Sequence, residues 1–123
     1  MDEYVGGIAT NYMTNENMLN RGLELLKWLE EDLENVGAED YHQLMRAWEL
    51  KHRTITSQCE TEHTKFREET RWPGYYYRSD KIKLDDENWH CLTLSRRDPE
   101  TGKFTMEKAP LYHIVDEEKK KAG

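Results

Sequence analysis

Between Gly37 and Pro73 the chain carries neither glycine nor proline. A run of that length without a breaker has few alternatives to one long helix. Glu39 and Asp40 stand near its start, where the positive end of a helix favours carboxylates. Met45, Trp48, His52, Ile55, Cys59, Glu62/His63 and Phe66 recur at helical spacing and define one stripe, apolar early and polar late. Extended to Arg71, the helix has 33 residues and is roughly 50 Å long at 1.5 Å per residue. That exceeds the diameter of a small domain.

Ahead of it, Leu19, Leu23, Leu26, Leu29, Leu33 and Val36 recur at three- and four-residue steps and mark a second amphipathic helix. Thr14 or Asn15 can cap its start, and Gly37 sits where a left-handed C-terminal residue belongs. Its outer face is acidic. Joined through Gly37-Ala38, the two helices predict an antiparallel hairpin in which the second overshoots the first by several turns. An independent module would bury its own stripe, yet Glu62 and His63 interrupt this one. The polar overhang asks for a neighbour.

Residues 1–15 read as a short irregular or partly helical lead, and residues 16–72 as the hairpin. Residues 73–88 lack periodicity and predict an extended, ordered loop. In 89–115, "WHCLTLSRR" and "KFTMEKA" read as strands around "DPETG", with Asp98-Pro99 forming the turn and Gly102 the left-handed position after it. Pro110 ends the second strand and "LYHIV" adds a short apolar segment; 116–123 is a charged, flexible tail. The expected fold class is mainly α: an antiparallel helical hairpin or three-helix bundle with a long second helix, then an ordered loop and a small β-hairpin.

Leu, Ile, Val and Phe account for only 21 of the 123 residues, and the formal net charge is -7. So little aliphatic surface hardly offsets chain entropy. Eleven Tyr and Trp work the other way, since each buries a large area. Both facts fit a single domain that is a fragment of something larger, with part of its core on another domain or subunit. A loosely packed domain held by aromatics fits them too. The acidic balance argues against nonspecific binding to nucleic acid or an anionic membrane. No apolar run approaches a membrane span, and the start is no signal peptide. The two cysteines, Cys59 and Cys91, then read as reduced thiols in a cytoplasmic protein.

Chemical motifs are sparse. Cys59 and His63 are four residues apart and could share a helix face, and His90 and Cys91 lie on the predicted hairpin. These are zinc-ligand types, but without CxxC or HExxH the pattern is weak, and a core cysteine beside a half-exposed histidine is the better reading. There is no GxSxG, phosphate loop or dinucleotide fingerprint. No residue in the chain is assigned a catalytic, cofactor-binding or metal-binding role. The aromatic-basic cluster Arg71, Trp72, Tyr75, Tyr76, Tyr77 and Arg78 has the residue types of a base-stacking platform. Glu68, Glu69, Asp80, Asp85 and Asp86 surround it, so pairing of the arginines with carboxylates and packing of the rings at an interface is the better reading.

Glu69, Arg71, Gly74, Arg78, Asp80, Asp85, Asp86, Asn88 and Trp89 fall in the order E-x-R, G-x-x-x-R-x-D, D-D-x-N-W. This resembles the C-terminal helical domain of the succinate dehydrogenase/fumarate reductase flavoprotein family. There a helical segment runs into Glu-Ser-Arg-Gly, followed by a His, an Arg-x-Asp and an Asp-Asp-x-x-Trp or -Phe. "MDEYVGG" and "WELKH" resemble the family's Met-x-x-Tyr-Val-Gly stretch and its Glu-Leu lead into the long helix. Two departures stand out: Trp72-Pro73 intervenes before Gly74, and Tyr76 replaces the family's His. With "DDENW" and the hairpin that follows, they look like the adenylylsulfate reductase branch.

The resemblance implies a parent flavoprotein subunit that interconverts adenylylsulfate with sulfite and AMP at FAD, supplied with electrons by an iron–sulfur beta subunit. This chain would supply no cofactor site of its own. It would be a scaffold touching the flavin and capping domains and the iron–sulfur subunit. Glu69, Arg71, Trp72, Gly74, Tyr76, Arg78, Asp80, Asp85, Asp86 and Trp89 would be its structural and interdomain residues. Another fumarate reductase-like flavoprotein, a free-standing helical interaction module and a small metal-binding domain stay open as alternatives.

Overall fold

The structure, a computed structural model, describes residues 1–71 and 76–112. A π-helical turn at Asp2–Gly6 and a 3-10 turn at Ile8–Thr10 lead into a two-residue strand, β1 (Met13–Thr14). Two helices follow, α1 (Glu16–Leu33) and α2 (Tyr41–Phe66). Then come β2 (Tyr77–Arg78), a single helical turn α3 (Asp86–Trp89), and strands β3 (Cys91–Arg97) and β4 (Phe104–Pro110). β1 and β2 pair in parallel, and β3 and β4 form an antiparallel hairpin.

Asn15 caps α1, its side-chain oxygen accepting from the Met18 amide, and Asp40 caps α2 through the Gln43 amide. The α1–α2 hairpin forms as the periodicity predicts, but its ends and faces differ. α2 stops at Phe66, five residues short of Arg71, because Arg67 turns extended at φ -80, ψ 105. Gly37 does not take the left-handed conformation; α1 ends earlier, at Leu33, in a helical-type turn. In α1, Leu19 is buried and Gly22 packs under Tyr4, whereas Leu29 is exposed, as is Val36 beyond the helix end. In α2 the buried residues are Thr54, Gln58 and Thr61, to one side of the predicted stripe. Thr54 and Thr61 return their hydroxyls to the carbonyls of Leu50 and Ser57, so polar side chains can face the neighbour without stranding a donor.

The predicted stripe has another fate. Its polar half lies under the β-hairpin: the ring nitrogens of His63 sit 3.0 Å from Thr93 Oγ1 and 3.0 Å from Ser95 Oγ, and Cys59 Sγ lies 3.4 Å from Ser95 Oγ. The polarity at Glu62/His63 is therefore matched within the chain by alternate polar residues of β3. The end of α2 left without a neighbour is the other one, the first turns from Tyr41.

The hairpin turn is as expected. Asp98 Oδ1 accepts from the amides of Glu100 and Thr101, and Gly102 is left-handed at φ 69. Trp89, read as the start of a strand, instead closes α3, and the predicted loop contains β2 and α3. Asp85 caps that turn through the Asn88 amide and side chain. The residues after Tyr112, including most of "LYHIV" and the tail, lie outside the described residues.

Among the described residues only Val5, Leu19 and Trp89 are buried apolar side chains, while Thr14, Thr54, Gln58, Thr61, Glu69, Thr70 and Arg78 are buried and polar. The poor aliphatic content is thus visible in the core. What holds the fold where α2 ends is a polar joint.

Candidate functional site

Three segments meet at that joint: the end of α2, the chain through β2 to α3, and the start of α1. Glu69 lies at its centre with no exposed surface. Its Oε1 accepts from Arg67 Nη1 at 2.6 Å and Arg71 Nε at 2.7 Å, and its Oε2 from Arg71 Nη2 at 3.0 Å and the Asp85 amide at 2.9 Å. Burial pushes its pKa up, but the hydrogen bonds from Arg71, the Asp85 amide and Arg67 outweigh it and hold the carboxyl below its ordinary range. Arg71 reaches on to Asp86 Oδ1 at 2.9 Å. Arg67 donates to the carbonyls of Trp89 and Cys91, tying the end of α2 to the start of the β-hairpin. Trp89 fills the space beside them, edge-on to Phe66 with ring centroids 5.4 Å apart. Lys108 Nζ lies 3.4 Å from its ring centroid.

The second half of the joint is built on Arg78, which is 1% exposed. Its Nε and Nη2 hold the two oxygens of Asp80 at 2.8 and 2.7 Å. Its Nη1 donates to the carbonyls of Thr64, Lys65 and Arg67 at 2.9, 3.3 and 3.4 Å. Those are groups that the end of a helix leaves without intrahelical partners, and a cation is favoured there. Asp80 Oδ2 accepts from the Glu16 amide at 3.0 Å, capping α1 from outside. Hydrogen bonds from Arg78 lower the Asp80 pKa to about 2 against the opposing effect of burial. Tyr76 donates its hydroxyl to the Thr64 carbonyl, and burial raises its pKa. Thr70 accepts from the Arg78 amide and donates to the carbonyls of Arg78 and Lys81.

Glu69, Arg71, Asp85, Asp86 and Trp89 thus come together in one group, and Tyr76, Arg78 and Asp80 in the one beside it. Trp72 and Gly74 lie outside the described residues. The arginines pair with carboxylates as the acidic flanks suggest, with one difference: Asp85 serves through its backbone amide and as a cap, and Glu69 takes the central place. Arg67, Thr64 and Thr70 were missed, because a helix running to Arg71 would have closed the Thr64 carbonyl within itself and kept Arg67 and Thr70 from meeting the chain that turns back.

All three guanidiniums are committed to partners inside the chain. None of these three is left aimed at a diphosphate, and the sequence has no glycine-rich turn to cradle one, so this joint does not fit the diphosphate of FAD. Among the described residues there is also no group of three or more His, Cys, Asp or Glu placed to hold a metal ion. Cys59 and His63 meet Ser95, while Cys91 lies 4.0 Å from the Asn88 carbonyl. No helix among the described residues is long and apolar enough to cross a membrane.

Residues 8–120 match the model of the family described as Fumarate reductase flavoprotein C-term. The chain belongs to this family. Among relatives, the adenylylsulfate reductase subunit alpha of Megalodesulfovibrio gigas is 43% identical over 114 residues, 93% of this chain and 17% of that protein. The solved adenylylsulfate reductase of Archaeoglobus fulgidus is 55% identical over 94% of this chain and 18% of that chain, with a TM-score of 0.90. A solved adenosine-5-phosphosulfate reductase in complex with sulfite, as a covalent adduct, matches at the same values. E. coli quinol fumarate reductase, at 22% identity and a TM-score of 0.76 over 89% of this chain, shares the fold. The chain thus spans less than a fifth of the length of the relatives it matches.

Proposed function

We propose that the chain is the C-terminal helical packing domain, one domain over residues 1–123, of the FAD-containing alpha subunit of an adenylylsulfate reductase. The observation that carries this reading is the 43% identity to such a subunit over 93% of the chain. The 55% identity to a solved reductase adds to it, against 22% to the fumarate reductase. In this reading the parent enzyme interconverts adenylylsulfate with sulfite and AMP in a two-electron step at FAD, exchanging electrons with the iron–sulfur clusters of a beta subunit. The domain supplies no catalytic group. Glu69, Arg71, Arg78 and Asp80 fix its own shape, and its outer surface meets the flavin and capping domains and the beta subunit.

Joined to the flavin-bearing part of its subunit and the beta subunit, the chain should support sulfite- and AMP-dependent reduction of an electron acceptor. Purified alone, it should be colourless and inactive. Flavin absorbance in the isolated chain, or full activity of the enzyme with residues 1–112 deleted, would overturn the reading.

A further inference from the structure

We draw no further inference here: the strongest candidate, the cleft where Leu23 and Lys27 of α1, Gln58 and Glu62 of α2 and Lys103 and Phe104 of the β-hairpin meet, carries nothing because its opposed lysines and carboxylates select no ligand and nothing in the structure shows what covers it.

Discussion

Arg78 and Asp80 grip each other through two parallel hydrogen bonds of 2.8 and 2.7 Å, and through them the end of α2 is tied to the start of α1. The guanidinium closes carbonyls of the first helix end, and the carboxylate caps an amide of the second. Arg78→Ala removes one partner of a pair whose cation is 1% exposed. It also leaves the Thr64, Lys65 and Arg67 carbonyls without this donor. A loss of about 1–3 kcal/mol is expected in denaturant unfolding, since Asp80 is partly exposed and keeps the Glu16 amide. An unchanged midpoint would mean that the link contributes nothing.

The same pair sets an acid limit. The folded-state pKa of Asp80 is lowered from 3.8 to about 2, so its contribution is complete above the unfolded value and disappears as pH falls through the folded one. Stability should decline between about pH 4 and pH 2, with roughly 2 kcal/mol of the fall belonging to Asp80. Glu69, also lowered, adds to the decline below its ordinary 4.5. Asp80→Asn should flatten this limb of the stability–pH curve. A variant whose limb is as steep as the parent's would assign the acid sensitivity elsewhere.

Glu69 supports the other half of the joint. Glu69→Ala leaves Arg67, Arg71 and the Asp85 amide without their shared acceptor. A cost of about 3–5 kcal/mol is expected. The amide of Asp85 should also lose protection from hydrogen exchange, which a general loosening of the helices would not single out. Retained protection at Asp85 would show that α3 is held by Trp89 alone.

At the hairpin turn, Gly102 has φ 69, and a Cβ there would lie 2.9 Å from Arg97 Nη2. The arginine tip can move, but the left-handed backbone strain cannot be relieved. Gly102→Ala should cost about 1–2 kcal/mol. A melting temperature equal to the parent's would imply that the turn changes type.

Much of the fold was legible because the signals were local. The gap from Gly37 to Pro73, the capping residues at Thr14-Asn15, the carboxylates at Glu39-Asp40 and the DPETG turn each act locally. The family motif named Glu69, Arg71, Arg78, Asp80, Asp85, Asp86 and Trp89 of the joint, but not Thr64, Arg67 or Thr70. The end of α2 was not legible, because Glu68, Glu69 and Arg71 are good helix formers; tertiary bonds from Arg67 and Arg78 override that preference. Nor was the buried face of α2. Periodicity marks apolar residues, whereas here Thr54, Gln58 and Thr61 face the core and the apolar turn residues stay outside. The interruption at His63 pointed to a missing neighbour, yet Thr93 and Ser95 of the same chain meet it.

The parallel pairing of β1 with β2 carries a consequence for how the molecule forms. The Ser79 side chain bonds the Thr14 carbonyl across 65 residues, and Asp80 reaches the Glu16 amide across 64. Contacts of such sequence separation require closing a long loop before any gain is returned, whereas the α1–α2 and β3–β4 hairpins form from near neighbours. The N-terminal lead should therefore dock last, after both hairpins. Stopped-flow refolding should show protection of the Tyr77 and Ser79 amides lagging that of α2, making this short pairing the clock of the folding reaction.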